Sequence, residues 1–468
     1  MSENLSYDVV VIGAGPGGYV SAIRASQLGL KVAVVEKQWL GGVCLNVGCV
    51  PSKALLKNAE LAHTLRERTA EFGVSFDNLK LDFSVAVKRS RDVSKRLTTG
   101  VNALMRKNKI DVIMGTAKLL AKNKISVTNA EGQVQEVSAK NIIVATGAYS
   151  MSIPGVAIDG ERILSYSEAI LQTTRPENVI IIGGGAIGVE FATVWNGYGS
   201  KVTIVEMLPH ILPAEDEEVA NELAKIYTKR GVQILTGTRV LSVERSDKGV
   251  KVKVSGADGE KVLEADQALV AIGFKPNTAN IGLETVGVKT NQRGFIEIDE
   301  RMATSVPGVW AIGDVTGQLL LAHVASAQGI VCAESIAGVE TVKLDYRMMP
   351  RAVYSHPQVA SFGITEAQAK EQGYTVKVGR FPFMANGKAL GLADYAGFVK
   401  IITDEKYGEI LGAQMIGPDV SELLPELTLA QRAELTISEI SRNVHSHPTI
   451  SEVVMEAAHA AEGHSIHI

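Results

Sequence analysis

The chain has 468 residues, which corresponds to about three domains of ordinary size. Its 47 Lys and Arg against 51 Asp and Glu leave a net charge of −4, so neither nucleic acid nor an anionic membrane is expected as its main partner. The 46% apolar content excludes a disordered or fibrous chain, and three cysteines exclude a disulfide scaffold, whereas 45 glycines exceed the roughly 7% of an average chain.

The first residues carry no sign of a targeting segment. They lack the basic region and the long apolar stretch of a secretory signal. Apolar runs such as 9–12 and 179–182 are far shorter than the ~20 residues of a spanning helix, and they have the length of buried parallel strands. We therefore expect no membrane association and a cytoplasmic protein, or a protein of an organelle matrix if a presequence has been removed.

The first unit of the chain predicts a dinucleotide site. A short apolar strand is followed by G-x-G-x-x-G, a helix of small residues, a second strand and Glu36. The motif glycines are Gly13, Gly15 and Gly18. They permit, in order, a tight turn, close approach of a pyrophosphate to the backbone and close packing of the helix on the strand. The phosphates would lie at the N-terminus of the helix, and Glu36 would accept hydrogen bonds from an adenosine ribose.

Two cysteines directly after this unit indicate redox chemistry. Cys44 and Cys49 are close enough in sequence to form a small disulfide loop. A zinc site would need further ligands, and no other Cys or His cluster lies near them in the sequence. Two unrelated buried thiols are the other interpretation. Because the pair adjoins a dinucleotide unit, we expect a redox disulfide that faces a flavin.

The next stretch predicts two helices, over 52–71 and 84–109, and then a hairpin over 109–137. A strand over 141–147 follows and ends in the turn Ala-Thr-Gly, at Thr146 and Gly147.

A second copy of the first unit begins at residue 178. Its glycines are Gly183, Gly185 and Gly188. Glu206 follows Gly188 by 18 residues, as Glu36 follows Gly18 by 18 residues. A carboxylate at this point would repel a 2′-phosphate, and no Arg is close by in the sequence, so the second site is expected to take NAD rather than NADP.

Beyond the second unit, strands are predicted over 250–254, 268–273 and 309–314, the last ending in Gly-Asp at Asp314. Cys332 lies in an apolar helical context and is expected to be a buried, inert thiol. From about residue 350 the pattern changes to alternating strands, such as 399–403 and 410–416, with amphipathic helices, which predicts a separate α+β domain.

The C-terminal region offers a base and a carboxylate. His445 and His447 precede Glu452, and a histidine can remove a thiol proton near neutral pH while a carboxylate orients its ring. By itself, a His-x-His pair near a C-terminus is more often a surface or metal-binding feature than a catalytic one.

The ordered set of motifs resembles the pyridine nucleotide–disulfide oxidoreductase family over essentially the whole chain. The stretches Cys44-Leu-Asn-Val-Gly-Cys-Val-Pro-Ser-Lys53, Val353-Tyr-Ser-His-Pro and His447-Pro-Thr-Ile-Ser-Glu452 are most similar to the branch that oxidises dihydrolipoamide. The resemblance implies an α/β fold with two Rossmann-like domains, for FAD and for NAD, and a C-terminal α+β dimerisation domain. It implies a FAD-binding domain over 1–150, a NAD-binding domain over 151–280, a central domain over 281–349 and an interface domain over 350–468.

The resemblance also implies residue roles. FAD would be bound by the first glycine motif together with Glu36, Lys53, Gly115, Thr146, Gly147, Asp314, Leu320, Ala322 and His323. NAD would be bound by Gly183, Gly185, Gly188, Glu190, Glu206, Val240 and Gly273, and Lys53 and Glu190 would form an ion pair beside the flavin. In a homodimer, His447 and Glu452 of one subunit would complete the active site of the other, and His445 would be secondary.

The implied substrate is dihydrolipoamide on the lipoyl domains of 2-oxoacid dehydrogenase or glycine-cleavage complexes. It would react at Cys44, and Cys49 would pass the electron pair to FAD and on to NAD⁺. The alternative is another FAD disulfide reductase of the glutathione, mycothiol or mercuric type. Glu206 argues against the NADPH-dependent glutathione type, and the chain ends without the Cys pair of a mercuric reductase. The interpretation from another class is a binding role, in which the protein serves mainly as a docked component of a large complex, and this role is compatible with catalysis.

Overall fold

The computed structural model describes residues 5–468, which form two Rossmann-like bodies and a C-terminal α+β body. The first body contains β1 (Leu5–Ile12), α1 (Pro16–Gln27), β2 (Val32–Glu36), α2 (Gly42–Asn46), α3 (Cys49–Glu67), α4 (Phe83–Lys107), β3 (Asp111–Met114), β4 (Thr116–Ala121), β5 (Lys124–Thr128), β6 (Val134–Val144) and β7 (Ala148–Ser150). Its sheet has the order β3-β2-β1-β6-β5-β4.

The pairing of these strands corrects part of the sequence prediction. The predicted hairpin 109–137 is wrong at both ends, because β3 pairs in parallel with β2 and only β4 and β5 form a hairpin between themselves. The strand predicted at 141–147 begins at Val134 and ends at Val144. The reason is that β6 pairs antiparallel with β5 through its first half and parallel with β1 along most of its length, so one strand serves two pairings.

The second body repeats the first pattern. It contains β8 (Ile163–Leu164), α5 (Tyr166–Ala169), β9 (Asn178–Ile182), α6 (Ala186–Gly197), β10 (Lys201–Val205), α7 (Glu217–Lys229), β11 (Gln233–Leu235), β12 (Arg239–Ser246), β13 (Gly249–Gly256), β14 (Gly259–Ala265), β15 (Gln267–Val270) and β16 (Phe274–Pro276). The parallel sheet has the order β11-β10-β9-β15-β8. β12, β13 and β14 form a separate antiparallel sheet, and β16 pairs antiparallel with β7 of the first body.

The chain then returns to the first body before the last one begins. The remaining elements are α8 (Leu283–Val286), β17 (Val309–Ala311), α9 (Ala322–Ala337), β18 (Arg351–Val353), β19 (Gln358–Gly363), α10 (Glu366–Glu371), β20 (Val376–Pro382), α11 (Gly387–Gly391), β21 (Phe398–Asp404), β22 (Ile410–Gly417), α12 (Leu424–Arg432), α13 (Ile437–Arg442) and α14 (Glu452–Glu462). β17 pairs with β6 and so extends the first sheet. It is shorter than the predicted strand 309–314, because Gly313–Thr316 turns into a 3₁₀ helix.

The last body is an antiparallel sheet of order β18-β19-β22-β21-β20 covered by helices. The central strand β22 is buried at every position, because side chains pack on both of its faces. α14 lies so close to β20 that a Cβ added to Gly379 would be 1.9 Å from the carbonyl oxygen of Ala457. This contact fixes the helix that carries Glu452.

The predicted fold class, two Rossmann-like units with a C-terminal α+β unit, is confirmed. The domain boundaries at 150, 280 and 349 remain predictions. Among residues 5–468, no helix has the length and apolar character that crossing a bilayer requires.

Candidate active site

The first glycine turn leaves a space at the N-terminus of α1. Gly13 has a φ of +106°, and a Cβ there would be 2.3 Å from the carbonyl oxygen of Ala145. A Cβ on Gly18 would be 1.9 Å from the oxygen of Gly13, so helix and turn are in direct contact. A Cβ on Gly15 would meet no atom within 4 Å. The middle glycine therefore borders an open space, as a pyrophosphate site requires.

The second turn has the same geometry. Gly183 has a φ of +105°, and its Cβ would be 2.4 Å from the oxygen of Ala271. A Cβ on Gly188 would be 2.0 Å from the oxygen of Gly183, whereas one on Gly185 would again meet nothing within 4 Å. Both turns thus fit a dinucleotide, each at the N-terminus of its own helix.

The acidic residue of each unit is held by backbone amides. Glu36 Oε2 accepts a hydrogen bond from the amide of Ala14 at 2.7 Å, and Oε1 accepts one from Gln38 at 2.8 Å. Glu206 Oε2 accepts from Gly184 at 2.7 Å. Both carboxylates are buried and oriented before any ligand arrives. A carboxylate has about four lone-pair sites, so each retains capacity for ribose hydroxyls.

The other residues assigned to the first site lie on connected turns around it. The amide of Gly115 donates to the backbone carbonyl oxygen of Glu36 at 2.9 Å. The hydroxyl of Thr146 donates to the oxygen of Asn277 at 2.8 Å, and the amide of Asn277 donates to the oxygen of Gly147 at 2.9 Å. The Ala-Thr-Gly turn is therefore tied to the end of β16.

Asp314 lies in the 3₁₀ turn after β17, and burial raises the pKa of its carboxyl to about 6. Among the described residues, no side chain donates a hydrogen bond to it. A partly enclosed carboxylate without a donor fits the hydroxyl of a bound ligand.

Three further residues assigned to the first site lie at the start of α9. Leu320 precedes the helix and Ala322 is its first residue, and the ring of His323 contacts the backbone carbonyl oxygen of Pro350 at 2.8 Å.

Two further residues of the second site lie at its edges. The oxygen of Gly273 accepts a hydrogen bond from the amide of Met151 at 2.9 Å. Val240 is in β12 and packs partly buried against the core of the second body. The amide of Thr238, two residues before Val240, donates to the backbone carbonyl oxygen of Glu206 at 2.9 Å. This contact brings the start of β12 to the end of the site where the ribose would lie.

Lys53 of α3 and Glu190 of α6 form an ion pair between the two Rossmann-like bodies. Lys53 Nζ is 2.9 and 3.0 Å from the two carboxylate oxygens of Glu190. Nζ also lies 4.4 Å from the ring centre of Tyr354, whose amide donates to Glu190 at 3.1 Å. Burial alone would lower the pKa of Lys53, but the charge and the hydrogen bond of Glu190, with the smaller effects of Cys49 and Tyr354, together outweigh it and the pKa is raised. Lys53 therefore stays protonated at neutral pH.

The two thiols adjoin this ion pair and differ in acidity. Cys44 is in α2 and Cys49 is the first residue of α3. The pKa of the Cys44 thiol is raised, because it donates a hydrogen bond to Cys49 and is partly buried. The pKa of Cys49 is lowered, first by that hydrogen bond and then by the charge of Lys53, which together outweigh burial. Cys49 is therefore the more acidic thiol of the pair, and a thiol of low pKa is the better leaving group in disulfide exchange.

His447 and Glu452 form an exposed acid–base pair at the start of α14. His447 Nδ1 is 2.9 Å from Glu452 Oε1, and the amide of Thr449 donates to Oε2 at 2.8 Å. Burial would raise the pKa of Glu452, but the Thr449 amide and the imidazole outweigh it, and the pKa is lowered. The side chain of His447 is 79% exposed, so its Nε2 faces outward and can exchange a proton with a group outside this chain.

His445 has a different environment. Its Nε2 is 3.0 Å from Glu426 Oε2, its Nδ1 is 2.9 Å from the oxygen of Asn443, and its side chain is only 5% exposed. The hydrogen bond to Glu426 raises the pKa of His445. Both ring nitrogens are occupied, so His445 has no free position for a substrate. This geometry favours His447 as the base.

Some residues around the site are not indicated by the sequence patterns. Glu426 precedes His445 by 19 residues and shows its role only through the fold. Asn386 donates from Nδ2 to the oxygen of Thr449 at 3.0 Å and so anchors the loop that carries His447. Tyr354 belongs to a stretch that carried the family resemblance, and that stretch was its only signal. The predicted inert thiol, Cys332, is fully buried, and burial raises its pKa.

Two family models match the chain. The model of the pyridine nucleotide-disulphide oxidoreductases matches residues 7–329. The model of the dimerisation domain of these oxidoreductases matches residues 349–458. Together they span the two Rossmann-like bodies and the α+β body.

Several curated proteins named dihydrolipoyl dehydrogenase are similar to nearly the whole chain. That of Mycobacterium leprae is 52% identical over 464 residues, which cover 98% of this chain and 99% of that protein. That of Corynebacterium glutamicum is 50% identical over 465 residues, with coverage of 98% and 99%. That of Bacillus subtilis is 43% identical over 472 residues, with coverage of 98% and 99%.

Solved structures share the fold at lower identity. LpdA from Mycobacterium tuberculosis has a TM-score of 0.90 and 29% identity, over 97% of this chain and 99% of that one. The HOCl-induced flavoprotein disulfide reductase RclA from Escherichia coli has a TM-score of 0.84 and 29% identity, over 96% of this chain and 98% of that one.

Proposed function

The chain belongs to the pyridine nucleotide-disulphide oxidoreductase family, and we propose that within this family it oxidises dihydrolipoamide to lipoamide with NAD⁺ as the electron acceptor. The observation that carries the proposal is the identity of 43–52% with dihydrolipoyl dehydrogenases along almost the full length. The thiols, the ion pair of Lys53 and the exposed His447 supply the groups that this reaction needs.

The dithiol step follows from the acidities of the two cysteines. His447 takes a proton from one substrate thiol, and the resulting thiolate attacks Cys44 Sγ of the Cys44–Cys49 disulfide. The S–S bond breaks, and Cys49 leaves as the thiolate that its lowered pKa favours. The second substrate thiol loses its proton to solvent, and its thiolate then attacks the mixed disulfide. Lipoamide is released, and Cys44 recovers a proton from His447.

We assign FAD to the first Rossmann-like body and NAD to the second. The first turn, Glu36 and Asp314 fit a flavin dinucleotide, and Lys53 and Glu190 would hold their ion pair beside it. Bound FAD supplies the hydride chemistry that connects a dithiol to NAD⁺. Gly185 and Glu206 fit the nicotinamide dinucleotide.

We propose that the active unit is a homodimer and that the substrate is carried on lipoyl domains of 2-oxoacid dehydrogenase or glycine-cleavage complexes. Within the described chain, His447 makes no hydrogen bond to either thiol. Its free nitrogen faces outward from the body that matches a dimerisation domain. A second copy would bring its own His447 to Cys44.

A second candidate function is that of another FAD disulfide reductase. RclA, a flavoprotein disulfide reductase by name, shares the fold with a TM-score of 0.84, so the scaffold alone does not select the substrate. The much higher identity to dihydrolipoyl dehydrogenases favours dihydrolipoamide over a glutathione, mycothiol or mercuric substrate.

We expect the purified protein to be yellow and to reduce NAD⁺ with dihydrolipoamide. The assay follows NADH absorbance, with the disulfides of glutathione and mycothiol, and mercuric ion, tested in the reverse direction as controls. Turnover with dihydrolipoamide that exceeds all three controls supports the proposal. If the protein is yellow but turns over one of the control substrates instead, the family assignment stands and the proposed substrate is wrong.

Replacement of Glu206 by Gln is expected to weaken discrimination against NADP⁺. The Glu206 carboxylate is buried and would lie near the 2′-phosphate of NADP⁺. Repulsion between these two negative groups corresponds to a preference for NAD⁺ over NADP⁺ on the order of a hundredfold. We expect this preference to fall by about tenfold or more in Glu206→Gln, because one unit of negative charge is removed. The measurement is kcat/KM for each coenzyme.

Glu36→Gln is the matched control, because Glu36 has the same position and the same backbone contacts in the first unit. This variant should leave the ratio of the kcat/KM values for the two coenzymes unchanged and should weaken FAD binding. An unmodified protein that uses NADPH as well as NADH would contradict the assignment of Glu206.

A further inference from the structure

The C-terminal tail, residues 463–468, turns back along α14. Gly463 ends the helix with a φ of +84°, and the amide of His464 donates to the oxygen of His459 at 3.1 Å. Further along the tail, His467 Nδ1 is 2.6 Å from Glu456 Oε1. The tail thus lies against the helix side that carries both His459 and Glu456.

This turn brings three metal-ligating side chains together. His459 Nδ1 and His464 Nε2 are 3.1 Å apart, and His464 Nε2 is 3.6 Å from Glu462 Oε2. All three ligand atoms lie within 4.8 Å of one another. Two ligand atoms that share an ion through bonds of about 2.0–2.2 Å lie at most about 4.4 Å apart, and both distances measured from His464 are within that limit.

The carboxylate of the cluster is already oriented. The hydroxyl of Ser438, in α13, donates to Glu462 Oε1, which leaves Oε2 on the side of His464 Nε2. The Glu462 side chain is 20% exposed, whereas that of His464 is 58% exposed. A hydrogen bond that orients a ligating carboxylate, with one side of the cluster open to water, is typical of metal sites with a free coordination position.

We propose that His459, Glu462 and His464 bind a divalent transition-metal ion of the Zn²⁺ class. Two imidazole nitrogens and one carboxylate oxygen suit Zn²⁺ and its neighbours, whereas Mg²⁺ and Ca²⁺ prefer oxygen ligands only. The fourth position is left to water. None of these three residues is among those assigned to the dithiol reaction.

The ion would hold the tail on α14. Glu456 is buried, and its Oε2 has no hydrogen-bond partner among the described atoms, while Oε1 contacts His467. The tail therefore covers a buried carboxylate on the helix whose first residue is Glu452. A metal link between His464 and His459 would keep that cover in place.

The test measures Zn²⁺ binding to the air-oxidised holoenzyme by isothermal titration, with Co²⁺ absorbance as a second readout. Oxidation is needed because free Cys44 and Cys49 would themselves bind Zn²⁺, and a thiol assay confirms that they are blocked. We expect one Zn²⁺ per chain and no competition from Mg²⁺. His464→Ala and His459→Gln should abolish binding, and Ser438→Ala should weaken it by about 10- to 100-fold.

His467→Ala is the matched control, since His467 is in the same tail, is similarly exposed at 66%, and is outside the cluster. It should bind Zn²⁺ as the unchanged protein does. His464 lies beyond the last helix, so its replacement tests the ligand without altering the helix; FAD absorbance verifies the fold of each variant. Absence of binding in the unchanged protein, unchanged binding in His464→Ala, or equal loss in His467→Ala would each overturn the proposal.

Discussion

Replacement of either Cys44 or Cys49 by serine is expected to abolish the oxidation of dihydrolipoamide while FAD stays bound. Serine is close in size to cysteine, and neither thiol is part of the glycine turn or of the Glu36 contacts. A hydroxyl cannot form a disulfide, so the loss should reach at least about a thousandfold. The measurements are kcat with dihydrolipoamide and the flavin content of each purified variant.

The two serine variants should differ in the thiol that remains. Cys49 has the lowered pKa, so the Cys44→Ser protein retains the more acidic thiol, which lies beside Lys53. The Cys49→Ser protein retains Cys44, the thiol assigned to attack by substrate, and should be trapped as a mixed disulfide. Mass spectrometry after incubation with oxidised lipoamide, without added dithiol and with the freed lipoyl thiol alkylated so that it cannot attack the mixed disulfide, would detect that adduct on Cys44.

Cys332→Ala is the matched control for the loss of a thiol. Cys332 is fully buried in the core between α1, α9 and the first sheet; Cys44 packs against the edge of the same core, but Cys332 is not part of the redox pair. Its replacement leaves a small cavity and should lower the free energy of unfolding, but it should leave turnover intact. Retained turnover in Cys44→Ser or Cys49→Ser would disprove the assignment of the redox pair.

Replacement of His447 by Gln is the second large expected effect. Removal of a positioned general base costs about 10²- to 10⁴-fold in kcat. His447 has the exposed ring nitrogen, so its variant should lose far more activity than His445→Gln, in which a buried ring that faces Glu426 is replaced. The rate of His447→Gln should rise with pH, because free thiols ionise near pH 8.5 without a base.

Each histidine variant requires its own stability measurement. His445 is 5% exposed and paired with Glu426, whereas His447 is exposed. Replacement of His445 should therefore lower the free energy of unfolding more than replacement of His447. Thermal unfolding of both variants separates the two effects. Equal and mild losses of kcat in the two variants would show that the base was assigned to the wrong histidine.

A mixed dimer distinguishes action across subunits from action within one. Co-expression of Cys44→Ser and His447→Gln chains yields a heterodimer with one site that has both wild-type groups, provided His447 acts on the partner's thiols. Each parent homodimer has none. Activity in the purified heterodimer is therefore expected. Its absence would place His447 and the thiols of one chain in the same site and contradict the proposed dimer mechanism.

Much of the fold was accessible from short stretches of sequence. The two glycine turns with their acidic residues, the second strand of each unit, and the α+β character after residue 350 are all present in the structure. A turn into a helix needs a residue without a side chain at a given place, and a buried parallel strand needs a run of apolar residues. Both requirements act over a few residues, so they can be recognised locally.

The hairpin predicted over 109–137 shows where local patterns end. Asp111–Met114 pairs with β2, which precedes it by some 75 residues, and Val134–Val144 continues from a hairpin into a parallel pairing with β1. Strand propensity identified extended backbone in this region. The partner of each strand depends on which edge the packed sheet leaves open, and that information is not contained in the segment.

By itself, the sequence determined the two dinucleotide turns, the placement of the thiol pair and, through a resemblance, the family. Only the tertiary structure decided which histidine has a free nitrogen, how Lys53 meets Glu190 from 137 residues away, and that a C-terminal turn gathers His459, Glu462 and His464. The physical reason is range: backbone geometry and hydrophobic periodicity are set by neighbours along the chain, whereas burial, pKa and side-chain partners are set by whatever the folded chain brings into contact.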